Sequence, residues 1–309
     1  MYQQLLARLG EGNVRALARC ISLVENEAPG YTALLEALPA GGHTRVAGIT
    51  GPPGAGKSTL VNALITALTA EGKKVAVIAV DPSSPFNFGA LLGDRIRMST
   101  HFSDPNVFIR SMASRGALGG LSPKILEVSD LVKAAGFDYL FIETVGVGQS
   151  EVEIAGVADT TVVVVVPEAG DEIQTMKAGL MEIANIFAVN KADRPAANEF
   201  VKNLRLLAHT KRTAGWETPV IKTIATTAAG IPELIAALDA HRLQTHGNRE
   251  RKALLLAEKA YQLIQHRRMQ DVDKQALLHE VQALLDHPQF NLYRIVQQYA
   301  KWTAAERPQ

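Results

Sequence analysis

The segment Gly51–Thr59 constrains this chain most, because it has the form G-x-x-x-x-G-K-[S/T]. The run Val46–Thr50 before it is short and apolar, like a buried strand, and leucines and an isoleucine recur after it at helical spacing. Strand, glycine turn and helix together form a phosphate-binding loop, in which backbone N–H groups and a helix N-terminus face phosphate oxygens. The pattern therefore predicts a nucleoside triphosphate site.

The residues of this loop have separate predicted roles. Those expected to surround the phosphates are Gly51, Pro52, Pro53, Gly54, Ala55, Gly56, Lys57, Ser58 and Thr59. Lys57 is expected to reach the β- and γ-phosphates, which also makes it a catalytic candidate, and the Ser58 hydroxyl is expected to ligate Mg²⁺. We refer to this segment below as the P-loop.

Composition is that of a globular protein with a substantial core. The chain has 309 residues, of which 47% are hydrophobic and 20% charged, so one large domain with appendages or two domains are expected. The formal net charge of +1 gives no general argument for binding nucleic acid or membrane, and we expect neither as a partner. A single cysteine, Cys20, excludes an intramolecular disulfide and a cysteine-rich metal site.

The chain shows no sign of a targeting or membrane-spanning segment. Its first residues lack the apolar core of a signal peptide. The longest run of strongly apolar side chains, Val162 to Val166, is far too short to cross a bilayer. A cytoplasmic protein is therefore expected.

Between about Arg45 and Ala240, short apolar runs alternate with helical patterns. This alternation predicts an α/β fold of the P-loop NTPase type, with a mostly parallel central sheet flanked by helices. The predicted strands are Val46–Thr50, Val75–Val80, Val107–Ser111, Tyr139–Glu143, Thr161–Val166, Ile186–Val189 and Val220–Ile224. Several of them are continuously apolar, as strands covered on both faces should be.

The two ends of the chain are predicted to be helical additions to this domain. Residues 1–40 are predicted to form a helical arm, which either packs against the domain or binds a partner. Residues 41–245 form the predicted nucleotide domain. Residues 246–309 are predicted to form a helical hairpin of two or three helices; its basic face could be solvated or bind nucleic acid or an acidic partner, but self-association is preferred.

A second motif predicts which base is bound. Asn190, Lys191 and Asp193 form N-K-x-D directly after a predicted strand, as in P-loop GTPases. A carboxylate at Asp193 would accept hydrogen bonds from N1–H and the 2-amino group of guanine, which adenine does not offer. A further base contact is expected from Thr227 and Ala228 in a loop after the last predicted strand, although the usual pattern there is Ser-Ala.

Three acidic residues are candidates for a magnesium shell. Asp81 and Glu143 each end a predicted strand, at the edge where such sheets bind ligands. Asp94 lies in a loop rich in Gly, Pro and Ser, and Glu143 opens a segment similar to the D-x-x-G switch with Glu in place of Asp. Because Mg²⁺ usually takes one or two protein oxygens, not all three need be direct ligands.

Four further segments form a combination that is typical of one family. They are Asp81-Pro82-Ser83-Ser84-Pro85, Gly93-Asp94-Arg95-Ile96-Arg97-Met98, Ser114-Arg115-Gly116-Ala117-Leu118-Gly119-Gly120 and Glu143-Thr144-Val145-Gly146-Val147-Gly148-Gln149-Ser150-Glu151. Together they resemble the MeaB/ArgK family of metallochaperone-type P-loop GTPases, which is related to the nickel-insertion GTPases of urease and hydrogenase. The resemblance covers nearly the whole chain, including both helical ends.

The resemblance implies a homodimer that hydrolyses GTP to GDP with Mg²⁺. It implies a protein partner, an adenosylcobalamin-dependent acyl-CoA mutase, chiefly methylmalonyl-CoA mutase, whose cofactor loading is gated and which is protected from inactivation. It also implies that the segment Asp171–Lys177 is a mobile switch, in which Gln174 and Lys177 move toward the nucleotide when the partner docks. Lys177 would then stabilise developing charge on the γ-phosphate.

Two other activities compete with this interpretation. The older family label describes a kinase acting on arginine/ornithine-binding proteins, and a kinase with a protein or small-molecule acceptor remains an alternative. A kinase lid with several arginines is not evident in the sequence. A partitioning-type ATPase would carry a lysine immediately after the first glycine of the P-loop, where this chain has Pro52. The guanine motif argues against both.

Overall fold

The computed structural model describes residues 2–39, 42–81, 98–113, 124–144, 153–167, 178–210, 215–246, 249–269, 272–285, 287 and 290–299. These residues fall into two compact units, Met1–Leu255 and Leu256–Gln309. No helix in these ranges is long and apolar enough to cross a membrane.

A seven-stranded sheet forms the centre of the first unit. Its strands are β1 Arg45–Thr50, β2 Val75–Asp81, β3 Val107–Ala113, β4 Tyr139–Thr144, β5 Thr160–Val165, β6 Ile186–Val189 and β7 Val220–Lys222. The spatial order is β3-β2-β4-β1-β5-β6-β7, and every neighbouring pair is parallel. The predicted α/β class with a parallel central sheet is confirmed, and all seven predicted strands are present.

Helices connect the strands and continue beyond the sheet. They are α1 Tyr2–Gly10, α2 Val14–Glu25, α3 Tyr31–Glu36, α4 Lys57–Ala70, α5 Ile125–Ala134, α6 Ala178–Ile183, α7 Ala197–Thr210, α8 Ile231–His246, α9 Arg249–Arg268, α10 Lys274–Leu284 and α11 Leu292–Tyr299. Single 3₁₀ turns occupy Ser99–His101 and Ile154–Gly156.

The sheet is buried on both faces, which explains its continuously apolar strands. Every residue of β4 and of β5 is buried. One face packs beneath α4 and α8 through a cluster that includes Ile49, Leu64 and Phe141. Across the β5–β6 part of the other face, Phe187 packs with residues of α6 and α7. The sheet is thus the centre of the hydrophobic core of the first unit.

The strand order brings the predicted motifs to one edge. β1 lies between β4 and β5, so the P-loop leaves the sheet where the chain order reverses direction. In open parallel sheets, ligands bind outside the carboxyl ends of the strands at such a point. The P-loop follows β1, Glu143 lies near the end of β4 and Asn190 follows β6, so all three lie at this edge.

The N-terminal arm packs against the nucleotide domain, the first of the two alternatives considered from sequence. Helix α2 contacts α5, and its residues Leu17, Cys20, Ile21 and Val24 are fully buried. At the end of α2, Glu25 pairs with Arg110, and just beyond it Glu27 Oε1 lies 2.7 Å from the Lys124 Nζ. Apolar burial and ion pairs thus hold the arm in the first unit.

The C-terminal unit is built differently. Helix α10 begins at a cap in which Asp273 accepts a hydrogen bond from Gln275 N at 2.7 Å, and the Tyr299 hydroxyl donates to Glu280 at 2.7 Å. Among its described residues only Ile295 is buried. Its exposed apolar side chains are Leu256, Tyr261, Ile264, Met269, Leu278, Leu284, Leu285, Leu292, Tyr293, Val296 and Tyr299.

Apart from β6, the strand boundaries differ from the prediction by one or two residues. β5 begins and ends one residue earlier, at Thr160–Val165, and β7 ends at Lys222 instead of Ile224. β7 is shorter because the Ile224 N–H bonds Ala229 O at 2.9 Å and so enters a turn instead of the sheet.

Candidate nucleotide site

The P-loop is a tight turn that needs glycine at its first and sixth positions. Gly51 has a φ of 133°, and a Cβ there would lie 2.1 Å from the Val164 carbonyl oxygen of β5. Gly56 has a φ of 86° and directly precedes α4, and a Cβ there would lie 2.5 Å from Asn190 Nδ2. The loop therefore passes so close to β5 and to the N-K-x-D motif that side chains are excluded at both points.

Lys57 lies across this loop. It is the first residue of α4 and is buried, and its Nζ donates to Gly51 O at 2.8 Å and to Pro52 O at 3.1 Å. The ammonium group is thereby held over the mouth of the loop, beside the N-terminus of α4. This is where an anionic phosphate would be attracted by both the lysine charge and the helix dipole.

Ser58 and Glu143 meet at the next position. The Ser58 hydroxyl donates to Glu143 Oε1 at 2.6 Å, and both side chains are buried. A hydroxyl and a carboxylate are the hard oxygen donors that Mg²⁺ prefers, and Mg²⁺ needs few protein ligands. The donor set of this pair fits a magnesium site. Asp81 ends β2, the strand beside β4.

Asn190 joins three loops at the carboxyl end of β6. Its Nδ2 donates to Ala55 O of the P-loop at 2.9 Å. Its Oδ1 accepts from Ala225 N at 3.2 Å and from the Thr223 hydroxyl at 3.3 Å. Asn190 is buried, so these contacts fix the P-loop, the N-K-x-D motif and the loop after β7 relative to one another.

The rest of the N-K-x-D motif lies against the same loop. Lys191 adopts a left-handed backbone conformation with a φ of 55°, and its Nζ donates to Gly54 O at 2.9 Å. The Ala192 N–H bonds Thr223 O at 3.1 Å. Asp193 is exposed just beyond this turn. The geometry places the lysine stem along the P-loop and leaves the aspartate at the surface of the site.

The loop after β7 differs from expectation in one detail. Its contacts with the motif are made by Thr223 and Ala225. Thr227 instead donates from its hydroxyl to Ile224 O at 3.3 Å, and Ala228 lies in a left-handed turn with a φ of 57°. Sequence reasoning missed Ala225 because it extended the strand through Ile224. Counting from the strand end at Lys222 would have pointed to it. The assignment of Thr227 and Ala228 to the base stays a prediction.

Comparison with known proteins agrees with this arrangement. The family described as "Methylmalonyl Co-A mutase-associated GTPase MeaB" matches residues 17–278. The chain belongs to this family. A Pyrococcus horikoshii protein with a provisional GTPase name is 50% identical over 244 residues, 77% of each chain.

Two further comparisons extend the MeaB family match. A mouse protein named "Methylmalonic aciduria type A homolog, mitochondrial" is 40% identical over 194 residues, 60% of this chain and 46% of that protein. A solved structure described as an LAO/AO transport system kinase has a TM-score of 0.67 and 26% identity, and covers 96% of both chains. With the family and the fold both established, this MeaB-family chain is a P-loop GTPase.

Three predicted site residues of this MeaB-family chain lie outside the described residues. They are Asp94, Gln174 and Lys177. For Asp81 the described part is the backbone at the end of β2. The structure therefore brings together the P-loop, Ser58, Glu143 and the base motif, while the switch and the remaining metal candidates stay predictions.

Proposed function

We propose that this GTPase is a chaperone of an adenosylcobalamin-dependent acyl-CoA mutase, the preferred partner being methylmalonyl-CoA mutase. It would bind the mutase, gate the loading of its cofactor and protect it from inactivation. The reaction GTP + H₂O → GDP + phosphate would bias a conformation of the complex. The observation that carries this proposal is the MeaB family match over residues 17–278, whose description names a mutase association.

The nucleotide site would work through residues that the P-loop holds in place. Lys57 would bind the β- and γ-phosphates, and Ser58 with Glu143 would hold Mg²⁺, joined by Asp81 or Asp94. Bound Mg²⁺ would neutralise charge on the phosphate oxygens. The support for this assignment is the 2.6 Å contact between the Ser58 hydroxyl and the Glu143 carboxylate beside the Lys57 ammonium.

Guanine would be selected by the N-K-x-D motif. Asp193 would accept from the base edge, and the Lys191 stem would lie along the ring. The hydrogen bonds of Asn190 to Ala55 and Ala225 support this proposal, because they fix the motif against the P-loop. Thr227 and Ala228 would contribute from the loop after β7.

Regulation would come from the segment 171–177. In the proposal, partner binding moves Gln174 and Lys177 toward the γ-phosphate, and Lys177 supplies a cation in cis. An added cation raises the turnover of P-loop GTPases by about 10³- to 10⁵-fold. The isolated protein should therefore be slow, and a mutase should accelerate it.

The test is phosphate release with and without a purified adenosylcobalamin-dependent acyl-CoA mutase. We expect Lys177→Ala to keep GTP affinity and the basal rate but to lose most of the stimulation, and Gln174→Ala to lose less. Lys202→Ala, at an exposed position of α7, is the matched control and should be stimulated normally. Equal stimulation of wild type and Lys177→Ala would remove Lys177 from the mechanism. Unstimulated wild type would remove the mutase.

Assembly is proposed as a cytoplasmic homodimer formed through the C-terminal unit. The apolar side chains exposed on α10 and α11 need a surface on which to be buried, and a symmetric pair is the commonest solution. Light scattering should find a dimer at micromolar concentration. Replacing Leu285 and Tyr293 by Asp should yield a monomer that still binds GTP. A monomeric wild type would contradict the proposal.

A kinase remains the second candidate, favoured by the description of the solved structure with a TM-score of 0.67. The two activities differ in where the γ-phosphate goes. With γ-labelled GTP, a GTPase releases the label as inorganic phosphate, whereas a kinase leaves it on an acceptor protein or small molecule. Label retained on an arginine- or ornithine-binding protein would favour the kinase.

A further inference from the structure

Two buried threonine hydroxyls meet beside the nucleotide site. Thr50 is the last residue of β1 and Thr144 the last residue of β4. The Thr144 hydroxyl donates to the Thr50 hydroxyl oxygen at 3.0 Å, and their exposed fractions are 1% and 0%. Thr50 directly precedes Gly51 of the P-loop, and Thr144 directly follows Glu143.

The backbone pairing of the sheet explains why this contact matters. Pairing between β1 and β4 runs from Arg45 opposite Tyr139 to Ile49 opposite Glu143. At the next residue the two strands pair with their outer neighbours, Thr50 with Val163 of β5 and Thr144 with Val80 of β2. The hydroxyl bond therefore continues the lateral link between β1 and β4 one step beyond their backbone ladder.

The two threonines face away from the proposed metal ligands. Ile49 and Phe141 belong to the cluster packed beneath α4, and Glu143, two residues after Phe141, bonds Ser58 of α4 on that same face. Side chains alternate along a strand, so Thr50 and Thr144 point to the opposite face. Any effect they have on Ser58 and Glu143 must pass through the backbone.

We propose that the Thr144–Thr50 hydrogen bond is a positioning device for Mg²⁺-dependent GTP hydrolysis. It fixes the end of β4 against the end of β1, where the P-loop begins. In this way it holds Glu143 at the distance where its carboxylate accepts the hydrogen bond from the Ser58 hydroxyl. Thr50 and Thr144 are positioning residues in this scheme. The inference rests on the proposed function of Ser58 and Glu143 as magnesium ligands.

A role in packing alone would not require hydroxyl groups here. Valine has nearly the same shape as threonine, and burying two hydroxyls means removing both from water. A hydrogen bond between them is directional, whereas apolar contacts tolerate sliding of one strand past the other. The pair lies at the point where the two strands must keep a fixed offset although their backbone ladder has ended.

The experiment compares the Mg²⁺ response of nucleotide binding in Thr144→Val, Thr144→Ser and wild type. Binding of fluorescent GDP is titrated first in EDTA and then against Mg²⁺. For Thr144→Val we expect unchanged affinity in EDTA and a rise of about threefold to tenfold in the Mg²⁺ concentration that half-maximally tightens binding, the equivalent of one hydrogen bond. Thr144→Ser should restore the wild-type midpoint, and turnover of Thr144→Val should recover at saturating Mg²⁺.

Controls separate this role from a loss of stability and from a failure of the metal site. Thr161→Val changes another buried strand threonine, on β5, and should leave the Mg²⁺ midpoint unchanged. Ser58→Ala should raise the midpoint, and if it does not, the metal site itself is wrongly assigned. If Thr144→Val does not fold, Thr50→Val removes the acceptor instead.

Two results would overturn the proposal while the Ser58→Ala result stands. One is a wild-type Mg²⁺ midpoint in Thr144→Val. The other is a loss of GDP affinity in EDTA as large as the loss with Mg²⁺, which would indicate a general distortion of the P-loop.

Discussion

The strands of the sheet carry polar clusters at both of their ends, and the side chains of the two clusters bond to different kinds of partner. At the carboxyl edge, the side chains of Lys57, Asn190 and Lys191 donate to backbone carbonyls of the P-loop. Side-chain pairs occur at both edges, but at the amino edge they join the sheet to α8. There Arg45, which begins β1, lies 2.5 Å from Asp239 of α8, to which the Tyr139 hydroxyl also donates at 2.9 Å.

The amino edge therefore attaches a helix to the sheet. The Arg45 guanidinium also lies over the Tyr139 ring, 4.9 Å from its centroid, and the Thr160 hydroxyl lies 2.7 Å from His241 Nδ1 of α8. The carboxyl edge instead shapes a glycine loop. Burial of polar groups alone does not distinguish the two. The difference lies in whether polar side chains stabilise packing between elements or the conformation of a loop whose N–H groups can face a ligand.

This contrast predicts that changes at the carboxyl edge alter nucleotide binding, whereas changes elsewhere alter stability. The largest effect is expected for Asp193→Asn. Losing the two proposed charge-assisted hydrogen bonds to guanine should weaken GTP binding by about two to four powers of ten, while the new amide should favour xanthosine triphosphate. Calorimetric titration with both nucleotides measures this. Asp159→Asn, near the amino edge, is the matched control, and GTP binding as tight as wild type in Asp193→Asn would refute the base assignment.

A buried charge cluster away from the nucleotide site tests the expectation that changes there alter stability and not nucleotide binding. Lys124 is buried between Glu27 and Glu127, 2.7 Å and 3.4 Å from their carboxylate oxygens. Burial lowers the pKa of Lys124, but the hydrogen bond with Glu27 and the charge of Glu127 outweigh it, so the net pKa is raised. Lys124→Met should destabilise the protein by about 2–3 kcal/mol, because it leaves two carboxylates uncompensated, one of them partly solvated.

The measurement for Lys124→Met is urea unfolding together with labelling of Cys20. Burial raises the pKa of the Cys20 thiol to about 11, so it should react slowly until α2 leaves the domain. We expect faster labelling in Lys124→Met with GDP affinity unchanged. Lys133→Met, at a more exposed ion pair of α5, is the control. Unchanged labelling would mean that the arm is held by its apolar face alone.

The same division separates the features that the sequence predicts from those that it does not. The P-loop and the N-K-x-D motif are local patterns whose meaning depends on a few adjacent residues, and Asn190 and Lys57 were assigned from sequence. The Tyr139–Asp239 contact joins residues on β4 and α8 that no local pattern connects. Ala225 was missed because a hydrogen-bonded turn, and not propensity, ends β7. Contacts between segments that are distant in sequence can be identified only when the fold is known.

The helical ends show the same limit. Both are predicted to be helical, yet the arm buries Leu17 and Ile21 whereas the C-terminal unit leaves most of its described apolar residues exposed. Periodicity predicts that a helix has an apolar face. It does not predict what covers that face, which depends on where the chain places the helix.

A smaller effect on GTP binding is expected when Lys57, the cation of the P-loop, is replaced. Lys57→Ala removes the proposed charge-assisted contact to phosphate and should weaken GTP binding by about tenfold to a hundredfold, with a matching loss of turnover. Ser58→Ala should mainly raise the Mg²⁺ requirement. Both variants should melt near the wild-type temperature, because Lys57 donates to carbonyls within the P-loop itself. Unchanged Mg²⁺-GTP binding in both would remove these residues from the site.

The smallest effect is expected for Tyr139→Phe at the amino edge. Removing the hydroxyl deletes one hydrogen bond to Asp239, and should lower the free energy of unfolding by about 0.5–1.5 kcal/mol with no change in GTP binding. Burial and the hydrogen bond with Asp239 raise the pKa of Tyr139 above its ordinary value of 10.0. Its stabilising contribution is therefore complete below pH 10 and is lost as the pH rises through the folded-state pKa. Urea unfolding at pH 8 and pH 10.5 should show wild type losing more stability between the two than Tyr139→Phe does. An identical pH dependence, or a weakened affinity for GTP in the variant, would break the division between the two edges of the sheet.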